Sequence, residues 1–222
     1  MFILDIYFGF LFYLFCCLGQ RRTWIVGDSI IARAGKHNTQ LHGGGTTMWD
    51  GIGGAKCRGV INRLTRLLHR QPFPTSLIMH LGTNDIFYAT KFEIKDNVES
   101  NLEGIRRLLP NTRLIWSDIL VRLQYSQEKR NGAGKRNSKS VNKKAHKVMK
   151  ESLGGDNKVV VHSHIFQSGR KYYQGAKLYE YDSTHPTEWG LECLRRNWSS
   201  ALVHFNQNPV EFVYPPGSIR PQ

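Results

Sequence analysis

The fold is decided by residues 24–30, which read Trp-Ile-Val-Gly-Asp-Ser-Ile. A short apolar run with β-branched and aromatic residues predicts a buried strand over Thr23–Val26, and the glycine that follows ends it. Ile30–Ala34 then predicts a short helix. A strand that leads directly into a helix is typical of a parallel α/β sheet.

The same alternation continues along the chain. Further strands are predicted over Ser76–Leu81, Arg113–Trp116 and Lys158–Val161, and helices over Ala55–His69, Val98–Leu109, Ser138–Leu153 and Glu188–Phe205. We place the glycine stretch Gly43–Gly45 after the second strand and Asn84 after the third. Strands that alternate with helices predict a parallel sheet covered by helices on both faces.

The two ends of the chain differ in composition from the middle. Residues 1–20 are almost wholly apolar and lead into Arg21 and Arg22, which leaves a secretory signal, a membrane anchor or an extension without a role as open interpretations. An extension would leave the protein intracellular, whereas a signal or an anchor would make it secreted or membrane-anchored; only an anchor predicts a membrane partner. We assign residues 21–206 to one domain and the proline-containing residues 207–222 to an extended or disordered tail.

The chain is strongly basic. Lys and Arg total 31 against 17 Asp and Glu, a formal net charge of +14, and this balance favours contact with nucleic acid, an anionic membrane or acidic substrates. The candidates for binding a polyanion such as RNA or DNA lie in one predicted helix and are Lys139, Lys143, Lys144 and Lys147. The alternative is a solvated helix face, and the lack of interleaved aromatic residues argues against a base-stacking platform.

Three short motifs place polar side chains near strand ends or just before the last helix. They are Gly27-Asp28-Ser29, Gly82-Thr83-Asn84-Asp85 and Asp182-Ser183-Thr184-His185-Pro186. Each alone has an ordinary explanation, since Ser often caps a helix and Asn and Asp are common in turns. Because chemistry gathers at the carboxyl ends of parallel strands, we expect the three motifs to lie together. No Cys or His spacing typical of a zinc site occurs.

In this order the motifs resemble those of the SGNH (GDSL-like) hydrolase superfamily, which is named for its Ser, Gly, Asn and His residues. The resemblance runs from about Thr23 to Phe205 and implies a three-layer α/β/α sandwich with a flavodoxin-like, five-stranded parallel sheet. A narrower resemblance is to the esterase-like domains encoded in vertebrate retroelements. It rests on the string Trp24–Ile30 and the basic segment Lys139–Lys150.

The resemblance also implies a role for each motif. Ser29 would be the nucleophile, His185 its general base and Asp182 the partner of His185. The oxyanion hole would be formed by the N–H groups of Ser29 and Gly45 and the side-chain amide of Asn84. Because three glycines are consecutive, Gly44 is the other candidate for the second donor. Neither a metal nor an organic cofactor is implied.

Two functions are compatible with this pattern. The first is a monomeric serine esterase or deacylase that hydrolyses small carboxylic esters through an acyl-enzyme on Ser29. The alternative is a nucleic-acid-associated accessory protein, weakly active or inactive, that uses the hydrolase-like scaffold to present a basic surface. The presence of all four superfamily residues favours the enzyme, and the net charge keeps the alternative open.

Overall fold

The computed structural model describes residues 20–87, 91–123, 133–167 and 170–218, so nearly all of the N-terminal segment lies outside the described residues. The strands are β1 (Arg22–Gly27), β2 (Thr46–Gly51), β3 (Ser76–His80), β4 (Arg113–Ser117), β5 (Asn157–Val160), β6 (Tyr172–Tyr173), β7 (Ala176–Lys177) and β8 (Val213–Tyr214). The α-helices are α1 (Ser29–Ala34), α2 (Val60–Leu68), α3 (Lys91–Leu108), α4 (Ala133–Lys147) and α5 (Glu188–Gln207). Short 3₁₀ segments cover Cys57–Gly59 and Asp85–Phe87, and one π-helical turn covers Val148–Ser152. Within these ranges, no helix is both long enough and apolar enough to cross a bilayer.

Six strands form a parallel sheet in the order β2-β1-β3-β4-β5-β8, and β6 and β7 form a separate antiparallel hairpin. The expected α/β architecture is confirmed, with one strand more than the five expected. The additional strand is β8, which pairs Val213 with Val159 and Tyr214 with Val160. The first part of the predicted tail is therefore an ordered edge strand of the sheet.

Helices cover both faces of the sheet because side chains alternate along each strand. On one face, α1 and α5 contribute Ile31, Leu194, Trp198 and Leu202 to a core that contains Ile25 of β1. On the other face, α2, α3 and α4 contribute Val60, Leu64, Leu102 and Val141 to a core that contains Trp24 and Val26. Strands buried on both faces, such as β3, have an apolar centre; in β3 it is Leu77, Ile78 and Met79.

The glycine stretch lies at the opposite end of β2 from the end we expected. Gly43–Gly45 precede β2, and Thr46 N–H donates to the carbonyl of Arg21, next to the first residue of β1. This strand lies at the edge of the sheet and most of its side chains are partly exposed. Its sequence therefore lacks the apolar run that indicates a buried strand.

The sheet has a reversal of strand order beside β1. The chain passes from β1 to β2 on one side and then returns to place β3 on the other side of β1. Connections that leave a parallel sheet in opposite directions open a crevice at the carboxyl ends of the strands. We call this end of the sheet the carboxyl edge; Ser29 follows β1 and Asn84 follows β3 there.

Candidate active site

Ser29 is the first residue of α1, and its hydroxyl is not used to cap that helix. The cap is Asp28, whose Oδ1 accepts the N–H of Ile30 at 2.9 Å. Asp28 is buried, whereas Ser29 is partly exposed at the carboxyl edge. With Asp28 as the cap, Ser29 Oγ is free to contact His185 Nε2 at 3.0 Å. The capping interpretation of Ser29 is therefore wrong.

Asp182 and His185 lie in the loop before α5. The Asp182 side chain holds this loop together through hydrogen bonds to its backbone. Asp182 Oδ1 accepts the backbone N–H groups of Thr184 and His185, both at 2.9 Å. Its other oxygen, Oδ2, lies 2.6 Å from His185 Nδ1. The backbone holds the loop further, since the N–H of Glu180 donates to the carbonyl of His185. The imidazole is thus fixed between the carboxylate and Ser29.

The hydrogen bonds to Asp182 keep its carboxylate ionised. Partial desolvation acts to raise the pKa of Asp182, but the His185 ring and the backbone N–H groups of His185 and Thr184 together lower that pKa to about 2. A carboxylate can only accept from Nδ1, so the proton lies on Nδ1 and the lone pair on Nε2 faces Ser29. This is the tautomer that a general base for a serine hydroxyl requires.

Asn84 lies at the carboxyl edge, after β3, and orders the loop that follows β2. Its Nδ2 donates to the carbonyl of Ala55 at 3.1 Å. A side-chain amide has two N–H donors, and this bond uses one. Its neighbour Asp85 is a structural residue, because its carboxylate accepts the N–H of Cys57 at 3.0 Å.

Gly45 cannot donate to an oxyanion on Ser29, so this prediction is wrong. Gly45 lies beside Arg21, at the amino end of β1, and Gly44 lies there too. Strand β1 spans six residues, which separates its two ends by roughly 16 Å. At the carboxyl edge, Gly53 and Gly54 follow β2 and are exposed.

A second hydrogen-bonded serine and histidine lie inside the core, in a Ser–His–Asn arrangement that sequence reasoning missed. Ser117 Oγ is 2.8 Å from His162 Nε2, and His162 Nδ1 is 2.7 Å from Asn197 Oδ1. This connectivity is consistent with a triad, but Ser117 Oγ also accepts the Trp198 indole N–H and contacts His80 Nδ1. Those bonds use every donor and acceptor position of the hydroxyl. The signal available in the sequence was a polar residue at the end of an apolar strand.

Burial separates this second arrangement from the first. Ser117 and His162 are 0% and 2% exposed, whereas Ser29 is partly exposed and the His185 side chain is 24% exposed. Burial lowers the pKa of His162 to about 3, so the ring is neutral at neutral pH. A hydroxyl without access to solvent has no route to a substrate, and we regard this network as structural.

The predicted polyanion-binding lysines do not behave alike. Lys144 Nζ is 2.6 Å from a carboxylate oxygen of Glu99 on α3, and Lys147 forms a longer contact of 3.8 Å with Glu151. Lys139 and Lys143 are exposed. The structure therefore brings Ser29, Asp182 and His185 together and places Asn84 at the same edge of the sheet. The four lysines lie on α4, and those that line a cleft there do so without Ser29, Asp182 or His185. In the described ranges, no group of three or more His, Cys, Asp or Glu side chains could hold a metal ion.

Fold and site together define an α/β hydrolase. A model of the family of GDSL-like lipases and acylhydrolases matches residues 48–194, more than half of the chain. The chain belongs to this family, and it is an esterase-type hydrolase. The matched range includes Asn84, Asp182 and His185, and Ser29 precedes it.

Solved structures share the architecture at low sequence identity. A GDSL-like lipase from Bacteroides thetaiotaomicron is 14% identical, with a TM-score of 0.61 over 82% of this chain and 88% of that one. A carbohydrate esterase of family 3 from Talaromyces cellulolyticus is 12% identical, with a TM-score of 0.57 over 85% and 99%. A member of the lipolytic G-D-S-L family from Veillonella parvula is 13% identical, with a TM-score of 0.56 over 84% and 99%. At these identities the likeness establishes the fold alone. No curated protein matches the chain.

Proposed function

We propose that this protein is a serine esterase or deacylase that cleaves small carboxylic esters through an acyl-enzyme on Ser29. One observation carries the proposal: an unbroken chain of hydrogen bonds runs from Ser29 through His185 to Asp182 at the carboxyl edge of the sheet. A nucleophile, a base and a group that orients the base are the parts that covalent acyl transfer needs.

The reaction begins when His185 Nε2 takes the proton of Ser29 as Oγ attacks the ester carbonyl. The tetrahedral intermediate collapses as the bond from the carbonyl carbon to the alcohol oxygen breaks, and His185 returns the proton to the departing alcohol. His185 then deprotonates a water molecule that attacks the acyl-enzyme. The acid leaves and Ser29 recovers its proton, so nothing else is consumed.

Three donors at the carboxyl edge would stabilise the oxyanion. Ser29 stands at the start of α1, where a backbone N–H has no partner within the helix. The amide of Asn84 supplies its second N–H, and a backbone N–H of Gly53 or Gly54 replaces that of Gly45 as the third donor. Gly54 has a φ of +72°, a left-handed conformation that orients this turn.

Two exposed apolar side chains adjoin these groups and would contact the substrate. Ile52 is 47% exposed, and its N–H donates to the carbonyl of Gly27, two residues before the nucleophile. Tyr181 is 95% exposed and directly precedes Asp182. Exposed apolar side chains next to the residues of the site favour an ester with an apolar acyl or alcohol group.

Labelling with a fluorophosphonate tests the proposal directly, since such a reagent phosphonylates an activated serine. Trypsin would release Ser29 in the peptide Thr23–Arg33 and Ser117 in the peptide Leu114–Arg122, so mass spectrometry separates the two candidates. We expect the label on Thr23–Arg33, and its loss in a His185→Ala variant, which has no base. A label on Leu114–Arg122 would assign the chemistry to the buried network and refute the proposal.

The oxyanion role of Asn84 predicts a selective loss of turnover. We expect Asn84→Ala to lower kcat by about 10²–10³-fold with a much smaller change in KM, because the amide contacts charge that develops only in the transition state. Steady-state hydrolysis of a chromogenic acetate ester measures both constants. Asn101→Ala is the matched control, since that amide donates to the Asn97 carbonyl within α3 and lies outside the site. A kcat in Asn84→Ala equal to that of the parent protein would show that Asn84 does not contribute to the oxyanion hole.

The family supports the enzyme, and nothing in the comparisons supports the accessory-protein alternative. We also propose that the domain is related to the esterase-like domains of vertebrate retroelements. The string Trp24–Ile30, which forms most of β1 and the start of α1, and the basic segment Lys139–Lys150 support this narrower relationship.

A further inference from the structure

A large cleft lies beside α4, and its lining does not include Ser29, Asp182 or His185. It has a volume of about 930 Å³, and it is bounded by α4 and the π turn on one side and by residues that flank β4, β5 and β8 on the other. This volume lies in the range of sites that hold small molecules. The segment after β4 separates the cleft from the triad loop, because the N–H of Leu123 donates to the carbonyl of Ser183 and the Tyr179 hydroxyl donates to the carbonyl of Val121.

One wall of the cleft is basic. Lys139, Lys143, Lys147 and Lys150 all line it. Their spacing of four, four and three residues places them on a single helical face. All four are exposed, and neighbouring like charges at this spacing repel one another. A bound anion would relieve that repulsion.

The carboxylates of the cleft leave most of its lysines unpaired. Asp118 contacts His146, whose Nε2 lies 2.6 Å from it. Glu151 contacts Lys147, and Glu211 is the remaining acidic residue of the lining. Across the ranges that the structure describes, no carboxylate oxygen lies within 4.0 Å of the ammonium groups of Lys139, Lys143 or Lys150. Lys139 and Lys143 are the two of these that are one helical turn apart, so they offer a pair of unpaired cations to one anion.

Part of the cleft lining is apolar. It includes Ile119, Leu120, Phe166, Phe212 and Val213, whereas Ser163, Gln167 and Ser218 are polar lining residues. The apolar side chains can bury a hydrocarbon or aromatic group. The cleft thus combines a cationic end with an apolar body.

We propose that this cleft is a binding site for a small organic anion, with its phosphate or carboxylate at Lys139 and Lys143 and its apolar body against Phe166 and Phe212. The site is separate from Ser29 and does not depend on ester hydrolysis. Lys144, which is paired with Glu99, takes no part, and Lys150 lies at the far end.

Isothermal titration calorimetry on the full chain tests this proposal with three probes of equal chain length: octyl phosphate, octanoate and 1-octanol. We expect saturable one-to-one binding of an anionic probe and much weaker binding of 1-octanol; the tighter of the two anions identifies the charged group. Lys139→Gln/Lys143→Gln should weaken that binding about tenfold or more, since each lysine donates a charge-assisted hydrogen bond. Lys36→Gln/Lys177→Gln is the matched control. Both lysines are exposed and lie outside the cleft, and the two substitutions remove the same amount of charge.

A second variant and a competitor make the result decisive. Ser163→Trp would fill the cleft without changing its charge and should also abolish binding, whereas Ser29→Ala should leave binding unchanged. Equal affinity in the two double-lysine variants, or 1-octanol binding as tight as the anions, would overturn the proposal. Displacement of octyl phosphate by a single-stranded oligonucleotide at equal phosphate concentration would overturn it too, and would assign the lysines to nucleic acid.

Discussion

Ser29→Ala is expected to abolish ester hydrolysis, with kcat lower by about 10⁴-fold or more. The reason is that the variant lacks the nucleophilic oxygen that forms the acyl-enzyme: Ser29 Oγ, 3.0 Å from His185 Nε2. The substitution removes a single oxygen from a partly exposed residue, and the helix cap on Asp28 remains. Hydrolysis of a short-chain chromogenic ester, measured beside circular dichroism of the same sample, checks this result.

Ser117→Ala provides the matched control for this experiment. It removes the corresponding oxygen from the buried Ser–His–Asn network and leaves the Trp198 indole N–H without its acceptor. An unsatisfied buried donor costs about 1–3 kcal/mol, so we expect a lower melting temperature with activity retained per folded molecule. The reverse pattern, with Ser117→Ala inactive and Ser29→Ala active, would show that Ser117 and not Ser29 is the nucleophile.

Asp182→Asn is expected to lower kcat by about 10⁴-fold while the fold is preserved. The two backbone N–H groups that bind Asp182 Oδ1 would hold the oxygen of the new amide in the same position. The NH₂ group must then occupy the place of Oδ2 and donate to His185 Nδ1. This arrangement moves the ring proton to Nε2, where it faces Ser29 and blocks proton transfer.

The kinetics of Asp182→Asn can be separated from a general loss of negative charge. Glu180→Gln makes the same chemical change at a nearby exposed residue and should leave kcat unaltered. Because the pKa of Asp182 is lowered to about 2, its carboxylate remains charged throughout the neutral range, so the contrast between the variants should hold there at every pH. Comparable kcat values in Asp182→Asn and the parent protein would exclude the orienting role of Asp182.

The proximity of Ser29, Asp182 and His185 was predictable because their motifs are local. Strand β1 is apolar up to its glycine, and Asp182 and His185 are only three residues apart, so a single loop brings them together. The choice of Asp28 rather than Ser29 as the helix cap was not predictable, since both residues accept hydrogen bonds from helix N–H groups. That choice depends on the burial of Asp28, which only the folded structure shows.

The glycine of the oxyanion hole was misplaced because β2 is an edge strand. Its partly exposed residues, Thr46–Gly51, carry no apolar run, so the sequence suggests that the glycines before it follow a strand.

The ion pair of Lys144 was not predictable for a different reason. Its partner Glu99 belongs to α3, and a contact between two helices cannot be predicted from the local sequence of either helix.

The distance along the chain between the two halves of the site has a consequence for biosynthesis. Ser29 and His185 are 156 residues apart, and His185 is followed by α5 and β8, which complete one face and one edge of the sheet. Domains are made from the N-terminus onward, and contacts between distant residues form late. A nascent chain would therefore carry Ser29 without His185 beside it until α5 and β8 have been made and have packed onto the sheet.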